Sequence, residues 1–358
     1  MCKSLLFPCC VMALAAATTP TTHAGPMVAI TEHITRDTYL SSDNVYVVRG
    51  EIHVRTGVRL SIGNGTTLLI HNGDFHTPAG NITGKSALIF DTGSRLNAQT
   101  LTVRACDERI RVAARADNAG VFFLGSASIA EKDRVSSDYA TRASQFRATR
   151  ILVSYLGHRD PPMPAGEASA EGGSGAGDDA TTRDGSAGTV AADDGIRTAS
   201  EIGGEQADDV DALSVIGVTA SEWQIAEVRS EFSGDDGIDI ENSDFTLKRL
   251  TVVAPTEDGI NITSSRVNIT QSLSVDMVAE NPADDRDLFD MEYDDGQAFL
   301  RLLRGCAIRI KGVFGDEMTL VSDDLPQPDG NGDTPYAFDG VLHRGQTFIY
   351  VAADEGAD

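Results

Sequence analysis

Short apolar–x–apolar pairs, rather than helical stripes, recur along this chain. Asp236-Gly237-Ile238-Asp239-Ile240 returns 22 residues later as Asp258-Gly259-Ile260-Asn261-Ile262. The same offset aligns Ile216/Val218 with Ile238/Ile240 and then Ile260/Ile262. It also aligns Trp223/Ile225 with Phe245/Leu247 and then Val267/Ile269. A period of two is that of a strand with one buried face. A third strand per copy is marked by Val228 and Leu250, with Leu273/Val275 displaced by one residue, as a one-residue change in a turn produces. Gly237 and Gly259 are expected at bends that need positive φ, which glycine adopts without penalty.

Short strands cannot bury one apolar face alone, so the copies must stack. About 22 residues at about 3.3 Å each make one circuit of three strands and three bends. At residues 215–277 the chain therefore resembles the right-handed parallel β-helix, pectin-lyase-like superfamily. The resemblance implies an all-β solenoid and no single function. The N-terminal region reads the same way in another register. Leu60 to Leu68 parallels Leu88 to Leu96, 28 residues on, and residues 40–155 are expected to supply about five rungs.

Two acidic stretches interrupt the pattern. Residues 160–211 hold 13 acids against two Arg and are rich in Gly, Ala, Ser and Thr. That composition predicts a disordered loop extruded from one rung at 159–211, with an interdomain linker as the rival reading. Residues 280–295, with eight acids and one Arg, predict a second acidic loop. The organisation that follows is a leader at 1–24, N-terminal rungs and cap at 25–158, the insertion at 159–211, C-terminal rungs at 212–315 and a small β-rich tail or cap at 316–358.

Composition narrows the setting. The 358 residues are 41% hydrophobic but only 6% aromatic, with one Trp, which predicts an aliphatic core. The leader has a basic Lys3, an apolar run from Leu5 to Ala17 too short to span a bilayer, and small residues before position 25, as in a secretory signal. A secreted, periplasmic or surface location is expected. Downstream of the leader only Cys106 and Cys306 remain, as one disulfide or as two buried thiols. The net charge is −25, concentrated after residue 158. Such a surface repels phosphates, which argues against a nucleic-acid partner.

The candidate chemistry lies where acids recur at the circuit spacing. Asp235 falls beside Glu257, Asp236 beside Asp258 and Asp239 beside Asn261. Like charges about 5 Å apart repel unless a cation bridges them or one is protonated. Hard oxygen donors suit calcium, so these six residues are candidate metal ligands. Solvated turn residues are the plainer reading, and a catalytic cluster of Asp235, Asp236 and Asp258 is a third. In polygalacturonase-like glycosidases of this superfamily a GDD segment, a His-Gly and an R-I-K motif follow one another. Gly234-Asp235-Asp236 and Arg309-Ile310-Lys311 match the first and last. No His lies between His158 and His343, so the middle element is missing. Lyases of this fold use calcium and an Arg or Lys base. Lys248, Arg249 and Arg266 lie near the acidic edge, with Arg266 one circuit from Asp244. Residues 329–333 resemble a D-x-N-x-D calcium loop without its later Glu. The resulting expectation is a non-catalytic binding, adhesion or structural role at polysaccharide or cell-surface glycan. A polysaccharide lyase or glycoside hydrolase is the alternative.

Overall fold

The computed structural model describes residues 25–76, 82–127, 143–159, 209–279, 282, 286–292, 298–303, 305–312, 318–321 and 348–351. The leader, residues 160–208 of the insertion and the loop at 329–333 lie outside the described residues. Among those described every regular element is a strand, and no helix is long and apolar enough to cross a membrane.

Two large sheets carry the fold, and within them almost all neighbours are parallel. The smaller stacks Glu51–Val54, Ala87–Phe90, Val121–Leu124, Leu213–Ile216, Asp239–Glu241, Ile260–Thr263, Arg286–Glu292 and Met318–Val321 in chain order. Between consecutive members the chain passes through the larger, 14-stranded sheet. Successive layers therefore lie in sequence order, one strand spacing of about 4.8 Å apart.

Long strands of the larger sheet turn a corner in mid-course. Asp244–Val253 alternates buried and exposed positions until Lys248 and Arg249, which both face solvent, and then resumes in the opposite parity. Gln145–Ser154 does the same at Thr149 and Arg150. Arg266–Asp276 spends one extra residue there, and its pairing with the preceding strand shifts from Leu247↔Ile269 to Leu250↔Leu273. That is the one-residue displacement the sequence predicts.

Trp223, Phe245 and Val267 point inward as expected, and Phe245 pairs with Val267. The interior is not purely aliphatic, however. Phe90 stacks on Phe123 at 4.8 Å, Phe123 meets Phe146 edge-on at 4.9 Å, and Trp223 stacks on Phe245 at 4.7 Å. The few aromatics are concentrated in the core, so their low overall fraction misleads.

Other expectations are corrected. The 28-residue match is not the pairing register. Leu60 pairs with Leu96 and Ile52 with Leu88, each 36 residues on, because the antiparallel hairpin Asp74–His76/Ile82–Lys85 lengthens that circuit. Residues 40–155 accordingly supply three strands to the smaller sheet, not about five. Ile216/Val218 do not align with Ile238/Ile240, since Val215 pairs with Ile240 at an offset of 25. Residues 286–292, read as loop, form a strand in which Asp290 pairs with Asn261. Of the two readings left open for Cys106 and Cys306, the structure has the separate buried thiols.

Across the long excursion the stack continues directly. Phe146 pairs with Trp223 and Val121 with Leu213. The ends of the excursion meet in a short antiparallel pair, His158↔Val210 and Arg159↔Asp209.

Gly237 and Gly259 do not have positive φ. Their requirement is close approach. A Cβ on Gly237 would lie 2.5 Å from the Gly259 carbonyl oxygen, and one on Gly259 would lie 2.6 Å from that of Leu288. The left-handed bends are instead taken by Tyr155, Phe232 and Ala254 at one corner and by Asn242 and Ser264 at another. Gly237→Ala should therefore cost about 1–3 kcal/mol through overpacking against rigid backbone. Thermal unfolding of the variant beside the parent measures this, and an unchanged midpoint would refute the steric reading.

Candidate metal centre

The register of the smaller sheet places four aspartates at one turn position. Ser214, Asp239, Asn261 and Asp290 pair in a row. Three residues before each stand Asp211, Asp236, Asp258 and Asp287. The first three carboxylates are wired to the backbone of the next layer. The Asp258 amide donates to Asp236 Oδ1 at 2.9 Å, and the Asp287 amide donates to Asp258 Oδ1 at 2.5 Å. The Asp236 amide likewise bonds to the Asp211 carboxylate. An aspartate here caps the turn above it, which explains the repeated Asp-Gly.

Asp235 and Glu257 precede the ladder by one residue and lie side by side, as expected. The main chain binds them together, because the Thr256 and Glu257 amides donate to the Asp235 carbonyl at 3.2 and 3.3 Å. Ser233 Oγ donates to the Asp236 carbonyl and accepts from the Asp235 amide, closing the turn. The carboxylates of Asp235, Asp236 and Glu257 each offer an oxygen within 4.8 Å of the other two. One layer on, Asp258, Asp287 and Asp290 form a second such group.

Asp239 is buried in the adjacent row beside Glu241, and Asn261 Oδ1 accepts from Thr263 Oγ1 at 3.2 Å. Neither joins a three-carboxylate group. Of the six predicted ligands, the structure thus gathers three and places Asp258 in the neighbouring group. Asp211, Asp287 and Asp290 were missed. Their offsets of 25 and 29 residues hide them from a 22-residue search, and the acidic stretches around them read as loop.

These acids are buried rather than solvated. Asp235, Asp236, Asp239 and Asp258 are all less than a tenth exposed. Burial raises the Asp235 carboxyl to about 12, with Asp236 the next cause. Burial also raises Asp211 to about 7 and Asp258 to about 8, and lifts Asp236 and Asp239 well above the usual range. Nearby cations do little to offset this. Arg159 reaches Glu257 at 3.1 Å. Buried Arg286 spends its N–H groups on the carbonyls of Glu257, Met277 and Pro255 at 2.7–3.0 Å. The cluster can hold protons or a cation, and its all-oxygen donors suit a hard ion.

Of the glycosidase letters, the Arg309-Ile310-Lys311 element is engaged elsewhere. Arg309 is exposed between buried Ile308 and Ile310, and Lys311 pairs with Asp276 at 2.9 Å. Arg249 pairs with Glu227, and Arg266 lies 3.9 Å from Asp244.

The larger sheet offers a different surface. Ser61, Asn97, Arg147 and Gln224 pair in one outward row. Thr246, Asn268 and Arg301 pair in another. The stacked Trp223 and Phe245 rings bring the two rows into line. All seven side chains are exposed or half-buried. Arg147 and Arg301 enter no ion pair among the described residues.

No protein-family model, no curated protein and no solved structure matches this chain.

The buried acids set the pH response of the metal-free protein. An unfolded Asp ionises near 3.9, whereas folded Asp211 and Asp258 hold their protons to about 7 and about 8. The folded state binds more protons between these values, so stability falls as pH rises. Chelator-treated protein should lose melting temperature steadily from about pH 4 to pH 8, and Asp211→Asn should flatten the lower part of that decline. A melting temperature that rises over this range would contradict it.

Proposed function

We propose that the chain is a secreted or surface-associated, right-handed parallel β-helix with a non-catalytic role, binding polysaccharide or cell-surface glycan along one flank. In-register parallel stacking of successive layers supports the helical architecture. The observation that carries the binding role is the pair of outward polar rows from Ser61 to Gln224 and from Thr246 to Arg301. Amide, hydroxyl and guanidinium groups recur there at strand spacing. Such a row matches the repeating hydroxyls of an extended glycan, and the two unpaired guanidinium groups suit acidic sugars.

One observation favours the enzyme reading. Asp258 retains its proton to about pH 8, as a general acid must. Against it, a glycosidase acid and its partner must flank the scissile bond. Asp235, Asp236 and Asp258 are instead more than nine-tenths buried, and two of them spend an oxygen on backbone amides.

Affinity electrophoresis against neutral and uronate-bearing polysaccharides separates the two readings. Retardation without release of reducing or unsaturated ends is expected, weakened about tenfold in the double variant Arg147→Ala/Arg301→Ala. Release of ends that disappears in Asp236→Ala would overturn the non-catalytic role.

A further inference from the structure

A buried carboxylate elsewhere among the described residues is fully met by donors. Glu222 has no exposed surface, yet its oxygens accept from the amides of Ser126, Ser144 and Thr219 at 3.1, 2.7 and 2.9 Å, and from Thr219 Oγ1 at 2.9 Å. Asp235 is treated differently. It is 6% exposed, its Oδ1 is buried with no hydrogen-bond donor among the described residues, and the side chain that meets it is the like-charged Glu257 carboxyl. An unmet carboxylate oxygen in that setting is costly. No guanidinium relieves it, since Arg159 goes to Glu257 and Arg286 to main-chain carbonyls.

The spacing around Asp235 is compatible with ligands to one ion. Two oxygens bound to one calcium at about 2.4 Å lie at most about 4.8 Å apart. Oxygens of Asp235, Asp236 and Glu257 all fall within 4.8 Å of one another. Magnesium requires closer octahedral packing and sheds water reluctantly, which a mostly buried three-carboxylate site does not favour.

We propose that Asp235, Asp236 and Glu257 bind one calcium-like divalent cation that clamps two successive layers of the stack. The ion ties the turn before Gly237 to the turn before Gly259. Through the Glu257–Arg159 pair it also fixes the root of the acidic excursion. The neighbouring group Asp258, Asp287 and Asp290 is not included, because none of its oxygens is left buried without a partner among the described residues. The site serves stability, and it stands whether or not the flank binds glycan.

The full chain, stripped by chelation, tests this with calcium alone. Saturating calcium should raise the melting temperature by about 5–10 °C, and elemental analysis after equilibrium dialysis should find bound calcium. Asp235→Asn keeps the shape and cannot ionise, so its metal-free form should melt no lower than the stripped parent, whose Asp235 is protonated. It should lose the calcium response and one bound ion per chain. Glu257→Gln should show the same loss, should Asp235→Asn fail to fold. Asp329→Asn/Asp333→Asn should leave the response intact. The proposal is overturned if both single variants keep the parent's calcium shift, if sodium chloride of equal ionic strength reproduces it, or if the stripped parent does not respond.

Discussion

Parallel pairing in register is the constraint on which the rest of this structure depends. It places each residue about 4.8 Å from its counterpart in the next layer, so whatever occupies a position meets a near copy of itself. For apolar side chains this is favourable at every step. Leu, Ile and Val columns fill the interior, and Phe90, Phe123, Phe146, Trp223 and Phe245 form one aromatic cluster that runs through four layers. The same rule aligns small hydroxyls. The Ser243 amide donates to Ser265 Oγ at 2.8 Å, while Ser265 Oγ donates to the Ile240 carbonyl at 3.0 Å.

For carboxylates the rule is two-sided. An aspartate at the turn accepts an amide from the layer above, which favours repeating it, but each repetition brings another negative charge to the column. Asp211, Asp236 and Asp258 share that geometry, and the burial of Asp236 and Asp258 keeps solvent from screening them. The fold thereby concentrates unfavourable charge along one edge while its other flank carries a mixed polar row open to water. The two surfaces differ in chemistry because one lies at stacked turns packed against the main chain and the other on the outside of a flat sheet.

Local composition located the part of this that repeats without interruption. Asp236-Gly237-Ile238-Asp239-Ile240 and its successor lie 22 residues apart in sequence and one layer apart in space, so the pairing of Asp239 with Asn261 was legible. So was the bulge before Leu273. Where excursions enter a circuit, legibility ended. The hairpin at Asp74–His76/Ile82–Lys85 moved the N-terminal register from 28 to 36 residues. Residues in the acidic stretches, Asp211 and Asp287 among them, looked like solvated loop because net charge outweighs a single strand in any local window.

By itself, then, the amino-acid sequence determined the strand period, the stacking of strands and the neighbourhood of the acids at 235–261, because these depend on side chains at short, regular separations. Tertiary structure decided which columns those side chains join. It made Gly237 and Gly259 obligatory through the carbonyl beneath each Cα rather than through φ. It also left Asp235 with a buried oxygen that no donor in the described chain satisfies. Burial and partnership are properties of the assembled layers, and no window of sequence contains them.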